Sequence, residues 1–170
     1  MREIAYTVRG FLTVRRDSLR VPLSGSLAVR QDPESGLLTG DLVLHDSTIS
    51  RTVLGARIFS ATVQVTADSP VIGVVDSDSQ MFATVTVNAV IDDVRAAGRT
   101  FISGGSCRTS SHAVVPLRSR PGFDLSKGGR LVGRYHRPAF TRCGRITPLV
   151  NLLVAGPGNA VVIDLVPVAS

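Results

Sequence analysis

The sequence predicts an all-β protein, an antiparallel β-barrel or β-sandwich of about eleven strands with one short C-terminal helix. Three observations carry that expectation. Apolar and polar residues alternate with period two through most of the chain. Turn signals rich in Gly, Pro, Asp and Ser fall between these runs. Only one segment switches to a helical period. The spacing leaves no room for helices between strands and so excludes βαβ units.

Tyr6, Val8, Gly10, Leu12 and Val14 alternate with Thr7, Arg9, Phe11, Thr13 and Arg15, as a strand with one buried face requires. Leu19, Val21, Leu23, Gly25, Leu27 and Val29 repeat the pattern opposite Arg20, Pro22, Ser24, Ser26 and Arg30, with Pro22 favouring an edge or a bulge. Asp32, Pro33, Glu34, Ser35 and Gly36 then supply a turn, so Leu38, Gly40, Leu42 and Leu44 return antiparallel. Further β-rich runs are Thr48 to Val53, Ile58 to Thr66, Val71 to Val75, Met81 to Val94, Thr100 to Ser103, Thr109 to Leu117, Gly129 to Arg137 and Ala160 to Val166. Thr147 as cap, Pro148 in the first turn and apolar Ile146, Leu149, Val150 and Leu153 predict a helix from Thr147 that Gly156 and Pro157 stop, followed by a turn. So small an apolar face suits plugging an open end of the β body or covering a sheet edge.

With 170 residues, 44% apolar and 19% charged, the chain reads as one domain, 1–170, able to bury roughly 70% of its unfolded surface. Its longest uncharged stretch, Ile146 to Val162, is broken by two prolines, two glycines and two asparagines, so no transmembrane helix is expected. Residues 1–9 show no apolar signal region, so no secretory leader is expected in this stretch.

Charge is lopsided. Residues 1–94 hold eight arginines against eleven acids, whereas residues 95–170 hold ten arginines and Lys127 against only Asp124 and Asp164. That asymmetry suits an anionic partner: a lipid headgroup, a glycan or nucleic acid. Six Phe, two Tyr and no Trp leave few stacking platforms, and there is no recognition helix, which disfavours nucleic acid. The most concentrated cationic signal is the face of the Gly129 to Arg137 strand that carries Arg130, Arg134 and His136. Arg118, Arg120, Arg142 and Arg145 join it from neighbouring loops as a basic rim able to grip phosphates or carboxylates.

No catalytic or metal signature is strong. Cys107 and Cys143 lack C-x-x-C spacing, and His112 and His136 complete no metal set. The two cysteines read as a structural disulfide or as buried thiols, with a nucleophilic Cys107 near Arg108 and His112 a lesser alternative. Ser106, Ser110 and Ser111 near His112 form no nucleophile elbow. Asp76, Asp78, Asp92 and Asp93 read as turn acids, since the calcium-loop spacing is missing. No cofactor is expected.

The stretches Gly105-Ser106-Cys107-Arg108-Thr109-Ser110-Ser111, Tyr135-x-x-Pro138-x-Phe140-x-x-Cys143-Gly144 and Thr147-Pro148-Leu149-Val150-Asn151-Leu152-Leu153-Val154-x-Gly156-Pro157-Gly158-Asn159 resemble a family of uncharacterised exported β-rich actinobacterial proteins. The resemblance covers roughly the last 70 residues of the sequence. It implies a cell-envelope or secreted setting and a Cys107–Cys143 bridge, and it implies no activity. A looser likeness, in strand content and length alone, is to small lipid-binding β-barrels of the YceI kind. The expectation is therefore a non-catalytic binding protein, holding a lipid or isoprenoid in an apolar barrel interior with a cationic rim. Its alternative is a structural or partner-binding envelope protein, with a protein or glycan partner and a packed β-sandwich.

Overall fold

The computed structural model describes residues 2–14 and 19–169. In chain order the strands are β1 (Arg2–Val14), β2 (Leu19–Gln31), β3 (Leu38–Leu44), β4 (Ser47–Val53), β5 (Ala56–Ala67), β6 (Val71–Val75), β7 (Met81–Ala96), β8 (Arg99–Ile102), β9 (Cys107–Thr109), β10 (Ala113–Arg118), β11 (Gly129–Arg137), β12 (Phe140–Thr141) and β13 (Gly156–Pro167), with one helix, α1 (Thr147–Val154). Eight of them close into an antiparallel barrel in the order β1, β2, β3, β6, β7, β10, β11, β13 and back to β1. Closure resolves the expected choice in favour of a barrel over a sandwich, and it removes the open edges that a sheet would expose.

Alternation sets which side chains go inside. On β1, Tyr6, Val8, Leu12 and Val14 are buried while Arg9 is exposed, and on β2 the inward set is Val21, Leu23, Leu27 and Val29. Two inward positions are glycine because neighbouring backbone passes too close. A Cβ at Gly10 would lie 2.0 Å from the Val162 carbonyl oxygen, and one at Gly25 equally near that of Val43. Pro22 sits where β2 has β1 on one side and no ladder on the other, as a residue without an N–H requires. The outer wall carries Arg9, Arg30, Asp41, Arg130 and Asp164, a polar-out pattern. No helix among the described residues is long and apolar enough to cross a membrane.

The β7 strand decides the rest of the shape. Its first half lies in the barrel between β6 and β10, while its second half runs on, with β5 along one edge and β9 and β8 along the other. β4 adds to β5 and β12 adds to β9, so an extension stands over one end, the mouth. The opposite end is sealed by residues 119–128. There the Phe123 amide donates to the Ser79 carbonyl at 2.6 Å, the Met81 amide donates to Ser119 Oγ at 2.9 Å, and the Tyr6 hydroxyl donates to the Leu125 carbonyl.

Four expectations change. Among the described residues there are thirteen strands instead of about eleven, because Ser110 to His112 turn the chain and split the Thr109 to Leu117 run into β9 and β10, and because β12 is too short to show as a pattern. Thr147 is not the cap: it lies inside α1, its hydroxyl donating to the Gly144 carbonyl at 2.9 Å and accepting the Cys143 amide at 3.0 Å. Of the expected apolar helix face, Leu149 is exposed and only Ile146 and Val150 pack against the core among the described side chains. Gly156 to Asn159 form no turn but begin β13, with Gly156 opposite Arg137. The helix covers a sheet edge. Asn151 accepts the Phe140 amide at 2.6 Å and donates to the Phe140 carbonyl at 2.9 Å, standing in for the strand that β12 lacks.

The β2–β3 turn forms as expected, with Gln31 opposite Leu38 and Gly36 at φ 72°. The Ser35 hydroxyl and the Glu34 amide hold the Asp32 carboxyl below its ordinary value, the Ser126 hydroxyl and amide do the same for Asp124, and Arg130 for Asp164. A depressed native pKa contributes stability above the unfolded value of 3.8, and that contribution is lost as pH falls through the native values. Thermal melts between about pH 6 and about pH 2 will show the midpoint fall on the acid side of the ordinary carboxyl value, and the triple variant Asp32→Asn, Asp124→Asn, Asp164→Asn will show a shallower fall.

Candidate functional site

The barrel is solid at its floor and hollow towards its mouth. A cavity of about 60 Å³ is walled by Val8, Leu12, Leu23, Val85, Val115 and Ile163, with Val65 of β5 and Thr109 of β9 completing it from the extension. Beyond Gly40, β3 leaves β6, so Leu42 and Leu44 face the cavity without a laddered neighbour on that side. β4 lies against β2 and β5 against β3 with no ladder between either pair. The Ser47 hydroxyl donates to the Pro22 carbonyl, and the His45 amide to that of Ser24 at 2.8 Å. The first of these bonds crosses the seam, where no ladder forms, and the second continues the β2–β3 ladder past Gly25 and Leu44.

One charge enters this apolar space. Leu131 and Tyr135 point inward from β11, and Arg137, two residues past Tyr135, points inward by the same alternation. Arg137 is only 8% exposed. Its Nη2 donates to the Tyr135 hydroxyl at 2.7 Å, and its guanidinium carbon lies 5.8 Å from the Tyr135 ring centroid. No carboxylate lines the cavity or pairs with Arg137 among the described residues. Withdrawing a cation from water costs several kcal/mol unless something compensates it. The Tyr135 hydroxyl, which accepts from Arg137, keeps its own proton free to donate.

The seven residues expected as a basic rim do not assemble into one. Arg130, Arg134 and His136 do share a face, but the pleat puts it on the outer wall of β11. There Arg130 is held in a two-pronged pair with Asp164, Nε to Oδ1 at 2.7 Å and Nη2 to Oδ2 at 2.8 Å. Arg118 ends β10 on the same outer side, opposite Val132, and Arg120 follows it towards the floor. Arg142 and Arg145 follow β12 and flank Cys143 along the chain, off the barrel strands. Arg137, which charge density did not single out, has the parity of Leu131 and Tyr135, the apolar face of the strand.

The bridge removes the thiol that a nucleophilic Cys107 would need. His112 is exposed and its Nδ1 contacts Asp68 Oδ2 at 2.7 Å. Asp76 accepts the Asp78 and Gln80 amides, and Asp93 pairs with Arg95, so both acid pairs have turn or surface work. The geometry offers an apolar cavity and, among the described residues, one buried cation at its edge. No protein-family model, curated protein or solved structure matches this chain.

Proposed function

We propose that this is a non-catalytic binding protein that takes the apolar part of a lipid-like or isoprenoid-like small molecule into its barrel. The observation that carries the reading is the carbon-lined cavity beneath the mouth of a closed barrel whose other end is sealed. The size of the cavity limits what it holds at rest. A water needs roughly 10–15 Å³ in this measure and drug-sized ligands occupy about 300–1,000 Å³. About 60 Å³ therefore takes a handful of non-hydrogen atoms. A longer tail enters by parting the seam between the β4–β5 hairpin and β2–β3, where no ladder must be broken. The alternative of a packed β-sandwich has no support in the closed ladder; a protein or glycan partner would have to use the outer wall.

The test is titration with N-phenyl-1-naphthylamine, a neutral apolar fluorophore. Saturable enhancement at one site per chain, reversed by decanol, is the outcome this function requires. A linear, unsaturable rise would reject it.

A further inference from the structure

Arg137 is more than nine-tenths buried at the edge of an apolar cavity, donates one hydrogen bond to a neutral phenol, and meets no acid among the described residues. A guanidinium carries five N–H donors in a rigid fork and stays protonated at any ordinary pH. None of its nitrogens is buried without a partner, so the donors that Tyr135 does not engage keep contact with solvent and stand open to an acceptor that a ligand would bring. We infer that Arg137 and Tyr135 form the receptor for the carboxylate of an amphiphilic acid, which enters the barrel head first. This rests on the binding function proposed above and names the ligand class for the same cavity.

Three features favour a carboxylate over other heads. The fork matches two carboxylate oxygens side by side, and the Tyr135 hydroxyl proton is available to one of them. One buried cation balances one negative charge. A phosphate monoester dianion would leave a charge uncompensated in carbon-lined surroundings. Finally, the cavity volume suits a headgroup with its first few carbons, leaving the rest of the chain to the seam.

The test compares decanoate, decanol and decyl phosphate by displacement of N-phenyl-1-naphthylamine at about pH 8, where the acid is ionised. Wild type is expected to bind decanoate tenfold or more tightly than decanol, the order that charge-assisted hydrogen bonds supply, and more tightly than decyl phosphate. Arg137→Leu, which fills similar space and removes a buried charge, should fold at least as well. It is expected to lose the acid preference while keeping decanol binding. Tyr135→Phe should reduce the preference a few-fold, and Arg137→Lys should recover part of it. Equal affinity for acid and alcohol, a preference that survives Arg137→Leu, or tighter binding of decyl phosphate would each overturn the carboxylate receptor and leave the barrel's binding role standing. Saturable binding of none of the probes would overturn both.

Discussion

Replacing Cys107 and Cys143 together by Ala lowers the stability of the protein by about 3–4 kcal/mol. In the chain-entropy picture that is the value of closing a loop with the observed sequence separation of 36 residues. For a domain of this size it moves the thermal midpoint by roughly 10 °C. The structure indicates where the loss falls. β9 has three residues and β12 two, too short to hold themselves in place, and Cys107 sits opposite Ile91 on the half of β7 that has left the barrel. Both cysteines are buried, at 0% and 1% exposure, so the alanines also leave voids. Thr109, on the same strand as Cys107, lines the cavity. Loss of the bridge will therefore weaken decanoate binding as well as the fold. Denaturant melts of the wild type with and without reductant, beside the double variant, check this. Reduced wild type and variant should agree, and a change below about 1 kcal/mol would show that the bridge does not hold the extension.

What the sequence disclosed and what it hid follow from the range of the physics involved. Inside and outside are written locally, because one residue's shift in a strand reverses its face; Tyr6, Val8 and Leu12 against Arg9 can be read without any partner. The Asp32 to Gly36 turn is equally local. Closure is not. It depends on β3 meeting β6 and β7 meeting β10 across intervening hairpins, and no single segment records those pairings. The sixteen-residue β7 was visible as one long run, but its exchange of barrel neighbours for β5 and β9 midway was not. Which basic side chains face inward was hidden for a related reason. Charge density drew attention to Arg130, Arg134 and His136, whose parity puts them in water, and Arg130's partner Asp164 lies 34 residues away. Arg137, one residue on, carries the same charge on the opposite parity, and only the pleat distinguishes it.

Stability and binding should separate along the barrel axis. Leu131→Ala, near the floor, is expected to cost about 2–5 kcal/mol, the range for a leucine removed from close-packed surroundings. Leu131 is 1% exposed, opposite Ile163 on β13, and does not line the cavity. Leu44→Ala, at the mouth, removes the same atoms from a half-buried side chain that already borders empty space and an unladdered seam. Fewer contacts are lost there, so its cost should fall at or below about 2 kcal/mol. The ligand should respond in the opposite sense. Decanoate affinity, corrected for the folded fraction, stays unchanged in Leu131→Ala, because the floor does not touch the ligand. In Leu44→Ala it rises relative to hexanoate, because the added volume lies where the longer tail must go. Denaturant melts and displacement titrations on the two variants check both halves. If Leu131→Ala proved the milder change, or if chain-length preference moved with the floor and not the mouth, the division of labour along the axis would be wrong. In that event the seam would no longer be the route by which a tail enters.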